Sequence, residues 1–120
     1  MRFLIVDDNV QFLEASRTLL ERHGLTVVGV ATDGATACEQ TTALTPDVVL
    51  LDIDLGEENG FDVARNLAAS ASGAHLKVIL ISAHSEDDFS ELVAESPALG
   101  FIPKSDLSVA AIGELLDGSQ

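Results

Sequence analysis

Five apolar runs of strand length recur along the chain, and patterns typical of amphipathic helices separate them. The runs lie at residues 2–6, 25–31, 47–51, 76–81 and 99–102. Each run is almost continuously apolar and rich in leucine or β-branched residues. This composition is typical of strands in a parallel sheet that is covered by helices on both faces.

The first intervening segment, residues 10–23, shows how the helices are recognised. Asn9 is a suitable N-cap, and Gly24 is a suitable C-terminal stop. The apolar residues predicted to share one face of this helix are Phe12, Ala15, Leu19 and Leu20. Similar segments lie at 33–44, 60–71, 85–96 and 108–118. Five strand–helix units in a row, without a repeat or internal linker, predict one doubly wound α/β domain.

In such a domain, ligands bind beyond the carboxyl ends of the strands. Polar residues stand at or just after four of the predicted strand ends: Asp7, Asp8, Asp52, Asp54, Ser82 and Lys104. The carboxylates would repel one another unless a hard divalent cation such as Mg²⁺, which prefers oxygen ligands, lay between them. A lysine and a hydroxyl beside the cation would neutralise a phosphoryl group, and a carboxylate could accept that group.

Aspartates after strands are also common as turn formers and N-caps. That structural interpretation is the better one for Asp33, Asp47 and Asp106. Asp7, Asp8, Asp52 and Lys104 differ because all are predicted at the same edge of the sheet.

Composition narrows the classes of partner. The chain of 120 residues has 20 acidic and 6 basic residues, a net charge of -14, which disfavours direct binding to nucleic acid or an anionic membrane. Cys38 is the single cysteine, so an internal disulfide and a cysteine-based zinc cluster are excluded. No apolar stretch is long enough to span a membrane and no signal-peptide pattern is present, so we expect a cytoplasmic protein.

Four short motifs occur in order along the chain: LIVDDN (4–9), PDVVLLDIDL (46–55) with Gly60 after it, ILISA (79–83) and GFIPK (100–104). Together they resemble the receiver domain of two-component response regulators, the CheY-like superfamily, over residues 2 to about 117. The resemblance implies a flavodoxin-like fold with five helices and a five-stranded parallel sheet in the order 2-1-3-4-5. We expect one domain over residues 1–120, with 118–120 as a candidate start of a linker.

The resemblance also implies roles for individual residues. Asp52 matches the phosphoacceptor, which takes a phosphoryl group from a histidine kinase, a histidine phosphotransfer protein or a small donor. Asp8 and Asp52 match direct ligands of Mg²⁺, with Mn²⁺ as an alternative metal. Asp7 matches an acid that holds the metal through water, and Asp54 matches the residue that offers its backbone carbonyl. Ser82 and Lys104 match phosphoryl-binding residues, and Ser82 and Phe101 match the conformational switch.

The function implied is a phosphorylation-activated signalling switch rather than a turnover enzyme, with the fourth helix, fifth strand and fifth helix as the face that controls an output. Two alternatives remain open. One is a receiver-like protein-binding module that is never phosphorylated. The other is a phosphohydrolase of the haloacid dehalogenase type, because LLDIDL contains the Asp-x-Asp that such enzymes use.

The sequence departs from the family pattern at two prolines. Gly56 replaces a proline after the acceptor, which predicts a more mobile loop, and Ser105 replaces the proline after Lys104. His84 lies two residues past Ser82, where side chains of the family adjust the lifetime of the phosphoryl group. A LuxR-type DNA-binding output domain outside this chain is compatible with GFIPKSDL. Lys104 is the only base after Ser85, so a homodimer, if one forms, should not use ion pairs on the output face.

Overall fold

The computed structural model describes residues 1–69, 76–84 and 89–118. The strands are β1 (Arg2–Val6), β2 (Thr26–Ala31), β3 (Val48–Asp52), β4 (Asp54–Leu55), β5 (Glu58–Asn59), β6 (Lys77–Ser82) and β7 (Gly100–Pro103). The helices are α1 (Val10–Arg22), α2 (Gly34–Leu44), α3 (Gly60–Ala69), α4 (Ser90–Glu95) and α5 (Val109–Asp117), with a 3-10 turn at Lys104–Asp106. Parts of the predicted third and fourth helices (70, 71 and 85–88) and of the candidate linker (119 and 120) lie outside the described residues.

The main sheet has five parallel strands in the order β2-β1-β3-β6-β7. Counted among the strands of this sheet, β6 and β7 are the fourth and fifth, so the predicted order 2-1-3-4-5 and the flavodoxin-like α/β fold are confirmed. β7 is an edge strand, which tolerates Pro103 because proline cannot donate a ladder hydrogen bond. The sequence did not predict the separate two-stranded ribbon that β4 and β5 form.

Alternate residues of each central strand are buried on opposite faces of the sheet. Leu4 and Val6 belong to one apolar cluster, together with residues of α2 and α3. Phe3 and Ile5 belong to a second cluster, which includes residues of α1 and α5. Burial on both faces explains why the strands are continuously apolar in sequence rather than alternating with polar residues. Within the described ranges, no helix is long and apolar enough to cross a membrane.

The buried face of α1 differs from the predicted one. Leu13, Ser16 and Leu20 are buried, whereas Ala15 is exposed. These three positions follow the 3–4 spacing of one helical face. Ser16 can be buried because its hydroxyl donates a hydrogen bond to the Phe12 carbonyl at 2.7 Å.

The ends of the helices are capped largely as the sequence predicts. The Asn9 side chain accepts a hydrogen bond from the Phe12 N–H at the start of α1, and Gly24, just past its end, has a φ of +80°. Asp33 caps α2 by accepting from the Thr36 N–H, and this bond lowers the pKa of Asp33. Asp47 has a structural role of another kind, because its carboxylate accepts from the Arg2 N–H at 2.8 Å.

Candidate functional site

Three aspartates meet at the carboxyl edge of the sheet. Asp7 and Asp8 directly follow β1, and Asp52 is the last residue of the neighbouring strand β3. One carboxylate oxygen from each lies within 4.8 Å of the others. We call these three residues the aspartate site. Asp7 and Asp52 are buried, whereas Asp8 is exposed, so the site opens to solvent on the side of Asp8.

Lys104 reaches this site from the end of β7. Its Nζ atom lies 2.7 Å from Asp7 Oδ2 and 3.2 Å from Asp52 Oδ2. The same atom lies 4.4 Å from the centre of the Phe12 ring, within cation–π range. One ammonium group therefore contacts two buried carboxylates and one aromatic face.

Backbone N–H groups hold the remaining oxygens of the two buried carboxylates. Asp7 Oδ1 accepts from the Asn9 N–H at 2.8 Å, and Asp52 Oδ1 accepts from the Asp54 N–H at 3.1 Å. Both donors lie two residues past their acceptor, in the turns that follow the strands. The turn chemistry of each aspartate thus fixes the orientation of its carboxylate.

The electrostatic environment favours a proton or a cation at Asp52. Burial, followed by the charge of Asp7, raises the pKa of Asp52 to about 6, against the opposing effects of the Asp54 N–H and Lys104. Burial disfavours the charge of Lys104, but its hydrogen bond and charge interactions with Asp7 and Asp52 prevail and raise its pKa. Lys104 thus stays charged, while two neighbouring buried carboxylates remain incompletely compensated.

The aspartate site fits a small hard cation. Apart from its ion pair with Lys104, Asp7 Oδ2 is buried and has no hydrogen-bond partner in the described part of the chain. The donors are all carboxylate oxygens, the ligand type that Mg²⁺ and Mn²⁺ accept, and the exposed side leaves room for the water ligands that Mg²⁺ retains.

The predicted hydroxyl also stands at this edge. Ser82 ends β6, and its neighbour Ile81 is paired with Asp52 in β3. Ser82 is fully buried, and its Oγ accepts from the His84 N–H at 3.0 Å. His84 Nε2 lies 3.5 Å from Asp54 Oδ2, so an exposed histidine–aspartate pair borders the site.

Phe101, the predicted switch residue, is buried in the cluster shared with α2 and α3. Its ring centre lies 6.5 Å from that of Phe89, which in turn lies 6.0 Å from His84 and 6.1 Å from Phe61. Phe101 is thus connected to the neighbourhood of Ser82 through a chain of aromatic contacts.

Gly56 occupies a conformation that the proline of the family pattern could not adopt. Gly56 and Glu57 form the two-residue turn between β4 and β5, and Gly56 has a φ of +66°. Proline is restricted to a φ near −65°, whereas a glycine first in a two-residue turn is common in hairpins. The segment predicted as a more mobile loop is therefore a short hydrogen-bonded ribbon.

Gly60 allows the backbone to pass closely behind Asp52. A Cβ atom at Gly60 would lie 2.5 Å from both the Asp52 carbonyl oxygen and Ile53 Cα. Both contacts are with backbone atoms next to the aspartate site, so relieving them would require the backbone itself to shift.

We expect Gly60→Ala to lower the free energy of unfolding by about 1–3 kcal/mol, the usual cost of overpacking. Gly113→Ala is the matched control. Gly113 lies inside α5 with open space around it, so this change should stabilise the protein by about 1 kcal/mol through helix propensity. Urea denaturation measures both values, and equal effects of the two substitutions would contradict the close approach at Gly60.

Sequence reasoning missed three contacts of the site: the Phe12 ring on Lys104, the His84–Asp54 pair and the Glu58 side chain on Gly34. Phe12 was assigned to the core because of its helical spacing. The other two contacts depend on how the ribbon and the loop after β6 are placed, which no local pattern indicates.

Comparison with known proteins places the chain in a family. The sequence profile described as the response regulator receiver domain matches residues 3–112. The DNA-binding transcriptional activator EvgA of Escherichia coli K12 is 29% identical over 107 residues, 88% of this chain and 51% of EvgA. The protein-glutamate methylesterase/protein-glutamine glutaminase 5 of Myxococcus xanthus is 35% identical over 105 residues, 87% of this chain and 30% of that protein. The chain thus spans about half of the first relative and less of the second.

Solved structures agree with this placement. A signal receiver domain from Mycobacterium tuberculosis, named for the response regulator NarL, is 33% identical with a TM-score of 0.83, covering 98% of this chain and 94% of that one. A two-component response regulator of the LuxR family from Aurantimonas is 30% identical with a TM-score of 0.85, covering 98% and 85%. With the profile match, these similarities show that the chain belongs to the response regulator receiver domain family.

Proposed function

We propose that this receiver domain is a phosphoryl-accepting switch in which Asp52 is the acceptor. One observation carries the proposal: the Asp52 carboxylate is buried at the end of β3, in reach of both Lys104 and the other two acids of the aspartate site. Its charge is incompletely compensated, so binding of a cation would relieve the carboxylate repulsion, and the cation together with Lys104 would offset the added negative charge of a transferred phosphoryl group.

In the proposed reaction, an Asp52 carboxylate oxygen attacks the phosphorus of a phosphohistidine or of a small donor such as acetyl phosphate. The new oxygen–phosphorus bond forms as the bond from phosphorus to the donor breaks, and the donor leaves with the electron pair. Water later attacks the phosphorus, which releases inorganic phosphate and restores the carboxylate. The transfer needs accurate positioning and charge stabilisation more than it needs covalent chemistry from other side chains.

In this proposal, the position of each other residue of the site determines its role in binding the phosphoryl group or the metal. Lys104, 3.2 Å from Asp52 Oδ2, would bind an oxygen of the transferred group. Ser82, at the end of the adjacent strand, would bind another oxygen. When bound by Asp7, Asp8, Asp52 and the backbone carbonyl of Asp54, Mg²⁺ supplies positive charge for the phosphoryl oxygens.

The proposed switch couples Ser82 to Phe101. Drawing Ser82 toward a phosphoryl group would remove its hydroxyl from the His84 N–H and alter the contacts among His84, Phe89 and Phe101. Such a local change shifts the balance between two conformations of the face formed by α4, β7 and α5.

The proposed partners follow from this role. A histidine kinase or a histidine phosphotransfer protein would donate the phosphoryl group in the cytoplasm. The output would be a partner or a further domain, and the LuxR-family and EvgA similarities favour a DNA-binding one. We propose residues 1–120 as one receiver domain that itself contacts neither nucleic acid nor membrane, consistent with its net charge of -14.

If a homodimer forms, we propose that it avoids ion pairs on the α4–β7–α5 face. Across the described residues 89–118, Lys104 is the only base, and it is paired with Asp7 and Asp52. Sedimentation velocity with and without phosphoryl donor would reveal whether a dimer forms, and salt dependence would show whether ion pairs hold it.

Incubation with acetyl phosphate or phosphoramidate, with Mg²⁺ or with EDTA, tests the proposed function. The expected result is a gain of one phosphoryl group in the intact mass, only with Mg²⁺, and persistence of that group after the donor is removed. Continuous catalytic release of phosphate would favour a phosphohydrolase. A folded protein that never gains mass would favour a protein-binding module.

A further inference from the structure

The position of the β4–β5 ribbon determines the surroundings of Asp52. Asp54 is the first residue of the ribbon, and its N–H donates to Asp52 Oδ1 at 3.1 Å. The backbone carbonyl of the same residue is the one assigned to the metal in the proposed function. Any shift of the ribbon would therefore move both a donor to the acceptor carboxylate and a ligand of the metal.

The ribbon contains too few internal contacts to fix its own position. It pairs only Asp54 with Asn59 and Leu55 with Glu58. Leu55 is buried and anchors β4. The Gly60 N–H donates to the Ile53 carbonyl at 2.8 Å, which joins the two ends of the ribbon where it leaves the sheet and enters α3. The outer strand β5 is held at Asn59, whose Oδ1 accepts from the Phe61 N–H at 2.8 Å, and a second anchor at its other residue would fix its position.

Glu58 supplies that anchor. Its Oε1 atom accepts a hydrogen bond from the Gly34 N–H at 2.9 Å, across 24 residues of sequence. Gly34 is the first residue of α2, where backbone N–H groups have no partner within the helix and carry partial positive charge. Asp33 caps the Thr36 N–H of this helix, which leaves the Gly34 N–H for Glu58.

The glycine at position 34 fits this contact. A Cβ atom there would lie 2.6 Å from Glu58 Oε2, so a larger residue would push the carboxylate away. The neighbouring Glu57 has the same charge and is also exposed, but its side chain makes no hydrogen bond or ion pair within the described part of the protein. A comparison of Glu57 with Glu58 therefore distinguishes the effect of a negative charge from the effect of the hydrogen bond to Gly34.

We propose that Glu58 is a positioning residue: by tying the ribbon to the first turn of α2, it places Asp54 beside Asp52 and so raises the affinity of the aspartate site for Mg²⁺. This inference rests on the proposed function, because it assumes that the metal binds there. Glu58 itself is not assigned as a ligand.

Two substitutions of Glu58 distinguish the effect of side-chain length from the effect of charge. Glu58→Asp keeps the charge but shortens the side chain by one methylene, so the bond to Gly34 should be lost. Glu58→Gln removes the charge but keeps an oxygen that can accept from the Gly34 N–H. Glu57→Gln is the control for loss of one negative charge in the same turn.

Mg²⁺ binding to the unphosphorylated protein is measured by calorimetry at physiological salt, with the thermal midpoint as the check of folding. We expect Glu58→Asp to weaken binding about tenfold, the lower end of the loss that follows when a residue orienting a metal ligand is changed, and Glu58→Gln and Glu57→Gln to weaken it less than about threefold. Hydrogen exchange at the Gly34 amide, followed by NMR, should be faster in Glu58→Asp and unchanged in Glu57→Gln.

The inference would be overturned if Glu58→Asp bound Mg²⁺ as tightly as the wild type, or if Glu58→Gln were as weak as Glu58→Asp. In both cases wild-type binding of Mg²⁺ would leave the proposed function intact. Failure of the wild type to bind Mg²⁺ would instead remove the metal site on which both proposals depend. A fall in the thermal midpoint without a change in Mg²⁺ affinity would assign Glu58 a structural role only.

Discussion

The Asp52→Asn variant is expected to fold and to take up no phosphoryl group from any donor. An amide of the same shape can still accept from the Asp54 N–H, but it lacks the anionic oxygen that attacks phosphorus. The same substitution should stabilise the metal-free protein at pH 7.5. Burial holds the pKa of Asp52 at about 6, above its ordinary value of 3.8, so its ionisation costs folding free energy as the pH rises through this window.

Asp62→Asn is the matched control for this variant. Asp62 is an exposed carboxylate on α3 that pairs with Arg65 at 3.0 Å, and it lies outside the aspartate site. This variant should be phosphorylated like the wild type, as read by intact mass. Phosphoryl uptake by a folded Asp52→Asn variant, at the wild-type extent, would show that another residue is the acceptor.

The Lys104→Met variant is expected to lose about 3 kcal/mol of unfolding free energy at pH 7.5 in EDTA, because removal of one partner leaves buried charge uncompensated. Methionine keeps an unbranched side chain of similar length, so the loss reports mainly on the ammonium group, which contacts Asp7, Asp52 and the Phe12 ring. Asp7 and Asp52 are both buried, and the side chain of Lys104 is only 19% exposed, so solvent screens this interaction weakly.

This loss should depend on pH and on Mg²⁺ in a defined direction. Without Lys104 the pKa of Asp52 rises further, so the carboxyl is protonated at pH 5 and the destabilisation shrinks as the pH falls. Mg²⁺ should also reduce the loss, since it replaces the missing positive charge. Lys77→Met, at the start of β6, is the control in urea denaturation. An equal loss for both variants at every pH would contradict the central role of Lys104.

Much of the fold could be predicted because its strands are buried on both faces. Continuous apolar runs such as 47–51 and 76–81 have few other interpretations, and the polar residue after each run marks where the strand leaves the core. The predicted ends differ from those of β3 and β6 by only one residue. Parallel pairing then places Asp7, Asp52 and Lys104 at one edge of the sheet, and the lysine side chain is long enough to reach Asp52 from two strands away.

The missed features depend on contacts that have no local signal. Two-residue strands such as β4 and β5 show no periodicity, so Gly56 indicated a loop rather than a hairpin turn. Ser16 is polar, and only its hydrogen bonds to the preceding turn allow it a buried position on α1. The contact between Glu58 and Gly34 joins segments whose distance is set by the packing of α2 against α3.

The location of the phosphoryl group shows whether Asp52 is the acceptor. Borohydride reduces an acyl phosphate to the alcohol, so trapping after incubation with acetyl phosphate and Mg²⁺, followed by peptide mass mapping, identifies the acceptor. We expect homoserine at position 52, and none when Mg²⁺ or the donor is omitted. Conversion of a different aspartate, or retention of aspartate at position 52 in protein whose intact mass shows a phosphoryl group, would contradict this expectation.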